Sequence, residues 1–251
     1  MSEARRLPIE KEILARYDGP ALVPEERVYL RVHARRYEYL LALIDRHRRE
    51  MGLDPGGRGM RLLDVGPSFQ TQLLRDLYPE ATVTTLGLEV SAVSTARPGE
   101  RHIEFDLNDS LDPEAWPAVE PHPLVIMAEV IEHLYTPPTS VLRCATGWLE
   151  PSGVLVLQTP NAASLFRRLK LLAGRNPYNL IRETRRNPGH FREYTLRELI
   201  AATAEAGFEP IESSRHNYQR GTSPRARFYR ATRAVLPRSL RQGITMVLRR
   251  R

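Results

Sequence analysis

A glycine turn, a handful of acids and two histidines carry the chemistry legible in this chain. In Asp64-Val65-Gly66-Pro67-Ser68-Phe69-Gln70 an apolar run ends in an acid, a glycine and proline break it, and a helix-compatible segment follows. Strand, tight turn and helix in that order open a nucleotide-binding βαβ unit, and Gly66 lets backbone approach a ligand closely. Ser68 and Gln70 stand where a dinucleotide fingerprint carries further glycines. A second apolar run, residues 81–88, ends at Glu89, and an acid at the end of the second strand can hold a ribose hydroxyl pair. Phe105-Asp106-Leu107-Asn108 follows the third run, where a carboxylate or amide can meet an adenine edge. The fourth run leads straight into Ala128-Glu129-Val130-Ile131-Glu132-His133-Leu134. His133, and His190 in Gly189-His190-Phe191-Arg192-Glu193-Tyr194, are candidate general bases because an imidazole titrates near neutrality.

The elements that must position these residues alternate. Strand-like runs fall at 60–65, 82–88, 102–105, 123–128 and 153–159, with helix-compatible segments at 69–78, 90–96, 111–116 and 138–149 between them. Leu124-Val125-Ile126-Met127 and Val154-Leu155-Val156-Leu157 are apolar on both faces. Strands buried on both faces require helices on either side of a parallel sheet, so the expected fold is a doubly wound, mostly parallel α/β sheet. Residues 1–24 show no clear periodicity and read as an arm, and apolar residues then recur at helical spacing from Val28 to Ile44, giving one covering helix or two. After Thr159-Pro160-Asn161 the rhythm breaks into a short basic helix at 164–173, a polar loop, a helix at 196–205 capped by Thr195 and two last strand runs beginning at Phe208 and Ile244.

Composition narrows the classes. With 251 residues, 41% hydrophobic and 27% charged, the chain is of ordinary globular make-up. No run approaches the roughly 18 apolar residues of a membrane span, and the first twelve residues lack the apolar core of a signal peptide, so a cytoplasmic location is expected. The single cysteine, Cys144, excludes a disulfide framework and a cysteine-based zinc site. No histidine-acid set has ligand spacing, so no metal is expected. A short-chain dehydrogenase needs Tyr-x-x-x-Lys, and neither lysine, Lys11 or Lys170, lies four residues after a tyrosine. Arginine supplies nearly all the positive charge behind the formal +7.

Taken in order, the motifs resemble the class I S-adenosylmethionine-dependent methyltransferases, closest to the branch that includes the ubiquinone-biosynthesis O-methyltransferases. The resemblance rests on Glu129-Val130-Ile131-Glu132-His133-Leu134, on Leu149-Glu150-Pro151-Ser152-Gly153 where the family carries Leu-Lys-Pro-Gly-Gly, on Thr159-Pro160-Asn161 and on Ala206-Gly207-Phe208, and it covers about 60–217. It implies a seven-stranded Rossmann-like sheet and S-adenosylmethionine as cofactor. It places Asp64 and Gly66 beside the methionine moiety, with Pro67 and Ser68 among the turn contacts, Glu89 on the ribose, Asp106 and Leu107 about the adenine, and Glu129 near the sulfonium. It implies methyl transfer, expected at an oxygen of a small or lipid-linked acceptor such as a glycan or isoprenoid intermediate. The family favours Gly-x-Gly-x-Gly in the first turn and only Gly66 remains here, which keeps open a second reading, a binding or scaffold protein that retains the fold without catalysis.

The expected organisation is an N-terminal arm with covering helices at 1–58 and a methyltransferase domain at 59–251. That domain carries a cap insertion at about 162–194 and a basic helical insertion at about 218–241. In the latter, Phe228, Ala231, Thr232 and Val235 share one helix face, and Arg225, Arg227, Arg230 and Arg233 occupy the rest. Such a helix either packs on the domain with an arginine fringe or rests on an anionic membrane surface. No aromatic-interleaved basic module points to nucleic acid.

Overall fold

A computed structural model of the chain describes residues 6–19, 22–88, 97–183, 189–217, 224–232 and 234–251. Seven strands form one sheet in the order β3-β2-β1-β4-β5-β7-β6. They are β1 (Arg61–Val65), β2 (Thr82–Gly87), β3 (His102–Glu104), β4 (His122–Ala128), β5 (Leu149–Pro160), β6 (Phe208–His216) and β7 (Gly243–Arg250). The first five pair in parallel, and β7 runs antiparallel to both β5 and β6. The described helices are α1 (Glu10–Tyr17), α2 (Pro24–Glu50), α3 (Phe69–Leu77), α4 (Pro138–Thr146), α5 (Leu165–Leu172), α6 (Leu196–Glu205) and α7 (Pro224–Ala231).

Alternation along the strands divides the core. Leu62, Leu124, Ile126, Val154 and Val156 face α1, α2 and α3. Their neighbours Leu63, Val125, Met127, Leu155 and Leu157 face α4 and α6. Both faces are covered, as the doubly apolar strands require. The covering segment is one helix of 27 residues, with Glu26 accepting a hydrogen bond from the Val23 N–H at its start and Gly52 at φ +68° just past its end. Its stripe of Leu30, Ala34, Tyr37, Leu41 and Ile44 is buried.

Several expectations are corrected. Residues 10–17 are helix, not arm, docked through Ile13. The segment at 111–116 forms 3-10 turns, because Asp112 caps Pro113–Ala115 and Pro113 fits a first-turn position. β5 starts at Leu149, so the Leu-Glu-Pro-Ser-Gly turn lies inside it, where the pairing with β4 shifts register. Among the described side chains of α7 Tyr229 is buried, at 1% exposure, while Phe228 is 40% exposed and Val235, beyond the end of the helix, is 80% exposed. Tyr229 and Phe228 both pack their rings against Phe166 of α5, at 5.3 and 5.5 Å between centroids. The segment expected as helix at 90–96 lies outside the described residues, as do parts of both insertions.

Candidate active site

The first turn is built to need its one glycine. Gly66 has φ +73°, its N–H donates to the Leu86 carbonyl at 2.8 Å, and a Cβ there would sit 2.6 Å from Val130 Cγ2. The Pro67 ring lies against Gly87, which brings the ends of β1 and β2 together. Ser68 caps α3, its Oγ accepting from the Gln70 N–H at 3.4 Å while its own N–H donates to Thr71 Oγ1 at 2.9 Å. Asp64 turns inward. Its carboxylate is wholly buried and accepts from Gln70 Nε2 and Thr71 Oγ1, each at 2.6 Å. Burial pushes its carboxyl up to about 7, against the pull of those two hydrogen bonds. Where the fingerprint would have glycines, this turn has side chains that close a hydrogen-bonded network around Asp64.

Glu89 lies outside the described residues, two positions past the end of β2. Asp106 caps the turn after β3, taking the Asn108 N–H and the Asn108 side-chain amide, both at 2.9 Å. The Asn108 side-chain oxygen in turn accepts from the Tyr135 N–H at 2.9 Å, so this loop is tied to the segment after β4. Leu107 is buried in the core.

At the end of β4, Glu129 adopts φ +60°, the one described non-glycine residue in the left-handed region, and its N–H donates to the Gln158 carbonyl at 2.8 Å. A glutamate held there is strained backbone of the kind that clusters at functional sites. Glu132 lies deeper. It is fully buried and accepts from Thr159 Oγ1 at 2.9 Å, while its carbonyl accepts the Phe191 N–H at 2.9 Å and anchors the segment that carries His190. Burial raises both carboxyls, Arg36 opposes the rise at Glu129, and the neighbouring Glu129 charge adds to it at Glu132.

Above these acids lies α2. Arg36 is 1% exposed, makes no ion pair within 4 Å among the described residues, and lies 4.7 Å from the centre of the Tyr37 ring. Its nearest partners are neutral and distant: Gln158 Oε1 and the Tyr29 hydroxyl, each at 3.5 Å, with Nε unpartnered. The Tyr37 hydroxyl, the His33 Nδ1 and the Gln70 Oε1 are likewise buried without partners. Burial and the Arg36 charge push His33 down to about 3, so its ring is neutral. An unpaired guanidinium and several orphaned polar atoms beside the turn are what a bound polar ligand would satisfy.

The two histidines, 57 positions apart, meet edge-on with ring centroids 4.7 Å apart. His133 Nδ1 lies 3.0 Å from the Gly189 carbonyl, and burial pushes its imidazole down to about 4. His190 Nδ1 lies 2.7 Å from Glu193 Oε1, which Arg167 also binds. The sequence pattern led us to expect no metal. The fold nevertheless brings a ligand atom from each of Glu132, His133 and His190 within 4.8 Å of one another.

Residues 32–213 match a family described as a methyltransferase domain. The chain belongs to this methyltransferase family. Its fold is shared with solved structures at low identity. An S-adenosylmethionine-dependent methyltransferase from Archaeoglobus fulgidus is 16% identical over 83% of this chain and 93% of its own, with a TM-score of 0.51. One from Mesorhizobium loti is 15% identical over 80% and 95%, at 0.51. A cyclopropane synthase from Mycobacterium tuberculosis is 18% identical over 84% of each chain, also at 0.51.

In this methyltransferase the candidate site residues from β1, β4 and α2 converge at one end of the parallel strands, where ligands of open α/β sheets bind. The resemblance implies that Asp64 lies beside the methionine moiety, and in the fold its carboxylate accepts from Gln70 and Thr71 of the turn. Arg36, Tyr37, His33 and Glu193 were not foreseen. The available signal in α2 was polar: His33 and Arg36 interrupt the stripe of Leu30, Ala34, Tyr37 and Leu40. Glu193 had none beyond its three-residue spacing from His190. No described helix of this methyltransferase is long and apolar enough to cross a membrane.

Proposed function

We propose that this methyltransferase passes the methyl group of S-adenosylmethionine to an oxygen of a small or lipid-linked acceptor, such as a glycan or isoprenoid intermediate. The observation that carries the cofactor reading is Arg36. A buried guanidinium without a carboxylate partner, beside the glycine turn, suits the carboxylate of the cofactor's methionine moiety. Glu129 supplies the opposite charge where an ammonium and a sulfonium would be accommodated. Gly66, Pro67 and Ser68 form the turn beneath, Asp64 lies beside the methionine moiety and holds that turn in shape, Glu89 takes the ribose hydroxyls, and Asp106 and Leu107 flank the adenine.

When bound, the cofactor supplies a methyl group on a cationic sulfonium. The protein's part is to align an acceptor with it, to exclude water and to receive a proton. Oxygen as the methylated atom is supported by the likeness of the Glu129–His133 run to the ubiquinone-biosynthesis O-methyltransferases and by the two histidines placed beside it, either of which can take a hydroxyl proton. The arginine-fringed α7 supports a peripheral contact with an anionic membrane, which would suit a lipid-linked acceptor.

Calorimetric titration with S-adenosylhomocysteine tests the reading: binding is expected, and none by a folded chain would return the protein to the scaffold reading. Glu89→Ala should weaken that binding by about tenfold or more, roughly 1.4 kcal/mol. An unchanged affinity rejects the ribose role.

A further inference from the structure

A cavity of about 540 Å³ opens between α5, the loop at 175–183 and the segment at 189–195. Its volume suits a single ring system or a short chain rather than a polymer. Leu171, Tyr178 and Phe191 give it apolar and aromatic walls, and His190, Glu193 and Arg167 supply its polar ones. Glu193 is 6% exposed. One of its oxygens is shared by His190 Nδ1 and Arg167, and the other, Oε2, is buried without a partner. Arg167 is fixed in turn, donating to the Pro177 carbonyl at 3.3 Å and lying 5.3 Å from the centre of the Tyr178 ring.

A carboxylate only accepts hydrogen bonds, so the contact with Glu193 requires the proton on Nδ1 of His190 and leaves the lone pair on Nε2. His133 is equally fixed by the Gly189 carbonyl, but its ring is not part of the cavity wall. We propose that this cavity is the acceptor site, that it takes a hydroxyl-bearing acceptor with an apolar body, and that Glu193 positions His190 as the base that receives the hydroxyl proton. The acceptor O–H bond breaks and its proton goes to Nε2. The oxygen's electron pair forms the new bond to the methyl carbon, and the old carbon–sulfur bond breaks with its pair left on sulfur. Glu193 holds the imidazolium that results, and the proton then passes to water. The inference rests on the methyltransferase reading above and adds the acceptor's place, its chemical class and the choice between the two histidines.

The test reads the tautomer by NMR of the 15N-histidine-labelled full chain, with and without S-adenosylhomocysteine. In the wild type, His190 should carry its proton on Nδ1. Glu193→Ala should move the proton to Nε2, the form an isolated imidazole prefers, and Glu193→Gln, which keeps an acceptor, should restore Nδ1–H. A wild-type His190 protonated on Nε2, or no change in Glu193→Ala, overturns the pairing. Phenol, a minimal hydroxyl probe with an apolar body, should shift the His190 Nε2 resonance in the wild type and not in the cavity-filling Ala163→Trp. The absence of any phenol shift in the wild type overturns the cavity assignment. Failure of S-adenosylhomocysteine to bind would instead sink the proposed function, so the two failures are told apart.

Discussion

The Arg36 guanidinium reaches the Gln158 side-chain oxygen at 3.5 Å and so joins the covering helix to the carboxyl end of β5, 122 positions away. Neither Gln158 nor Tyr29, its two hydrogen-bond partners, is a carboxylate, and the first prediction follows from that. Arg36→Met should lower affinity for S-adenosylhomocysteine by about tenfold to a hundredfold, the loss of one charge-assisted pair. Methylthioadenosine, which lacks the amino-acid carboxylate, should bind both proteins equally. Equal losses for the two ligands would mean that the helix has been displaced rather than a carboxylate partner removed. Arg36→Lys should fall between, because it keeps the charge without the planar fork.

Gly66→Ala should be costly twice over. A left-handed conformation costs a residue with a Cβ about 1–2 kcal/mol, and the new methyl would meet Val130 Cγ2 at 2.6 Å, adding about 1–3 kcal/mol of overpacking. Urea unfolding measures the sum. The double change Gly66→Ala with Val130→Ala should recover the overpacking part and leave the backbone part, and a full recovery would show that the conformation of the turn is not the constraint.

Asp64 gives a pH signature whose sign is set by burial. Its carboxyl titrates near 7 in the fold and in the ordinary carboxylate range when unfolded, so the folded state binds the proton more tightly. The stability this supplies is full below the unfolded value and is lost as pH rises through about 7. Asp64→Asn cannot ionise. Its free energy of urea unfolding should decline less than that of the wild type across this window, by an amount on the order of 4 kcal/mol at most. Parallel declines would mean that Asp64 is ionised throughout.

Chelation separates proton chemistry from metal chemistry at the histidine pair. Dialysis against EDTA should leave both S-adenosylhomocysteine affinity and methyl transfer unchanged. A loss that a divalent cation restores would place an ion on Glu132, His133 and His190, whose ligand atoms lie close enough to share one.

The parallel sheet was legible because β4 and β5 are apolar on every position that matters, and only a strand covered on both sides tolerates that. α6 was legible for local reasons, a Thr195 cap with Glu198 three positions on and Gly207 just beyond, all of which the structure contains. α1 escaped because its eight residues bury only Ile13, too little to leave a period. The burial of Tyr229 in α7 escaped because its contact with Phe166 spans 63 positions. The same holds at the site. Gly66 was recognisable from its neighbours, whereas the burial of Arg36 without a paired carboxylate and the company of Glu193 depend on partners that only the fold assembles.

β7 is synthesised after β6 and yet inserts between β6 and β5, with pairs running from Val154↔Arg249 to Pro160↔Gly243 on one side and from Phe208↔Arg250 to His216↔Gly243 on the other. On a ribosome the five parallel strands can therefore dock in order while β6 waits without a neighbour. The His190 segment leaves β5 and leads through α6 into β6, so the strand beyond it is paired only when β7 arrives. The strands that carry the nucleotide half of the site can pair early in synthesis, and the edge strand that follows the acceptor half is fixed last.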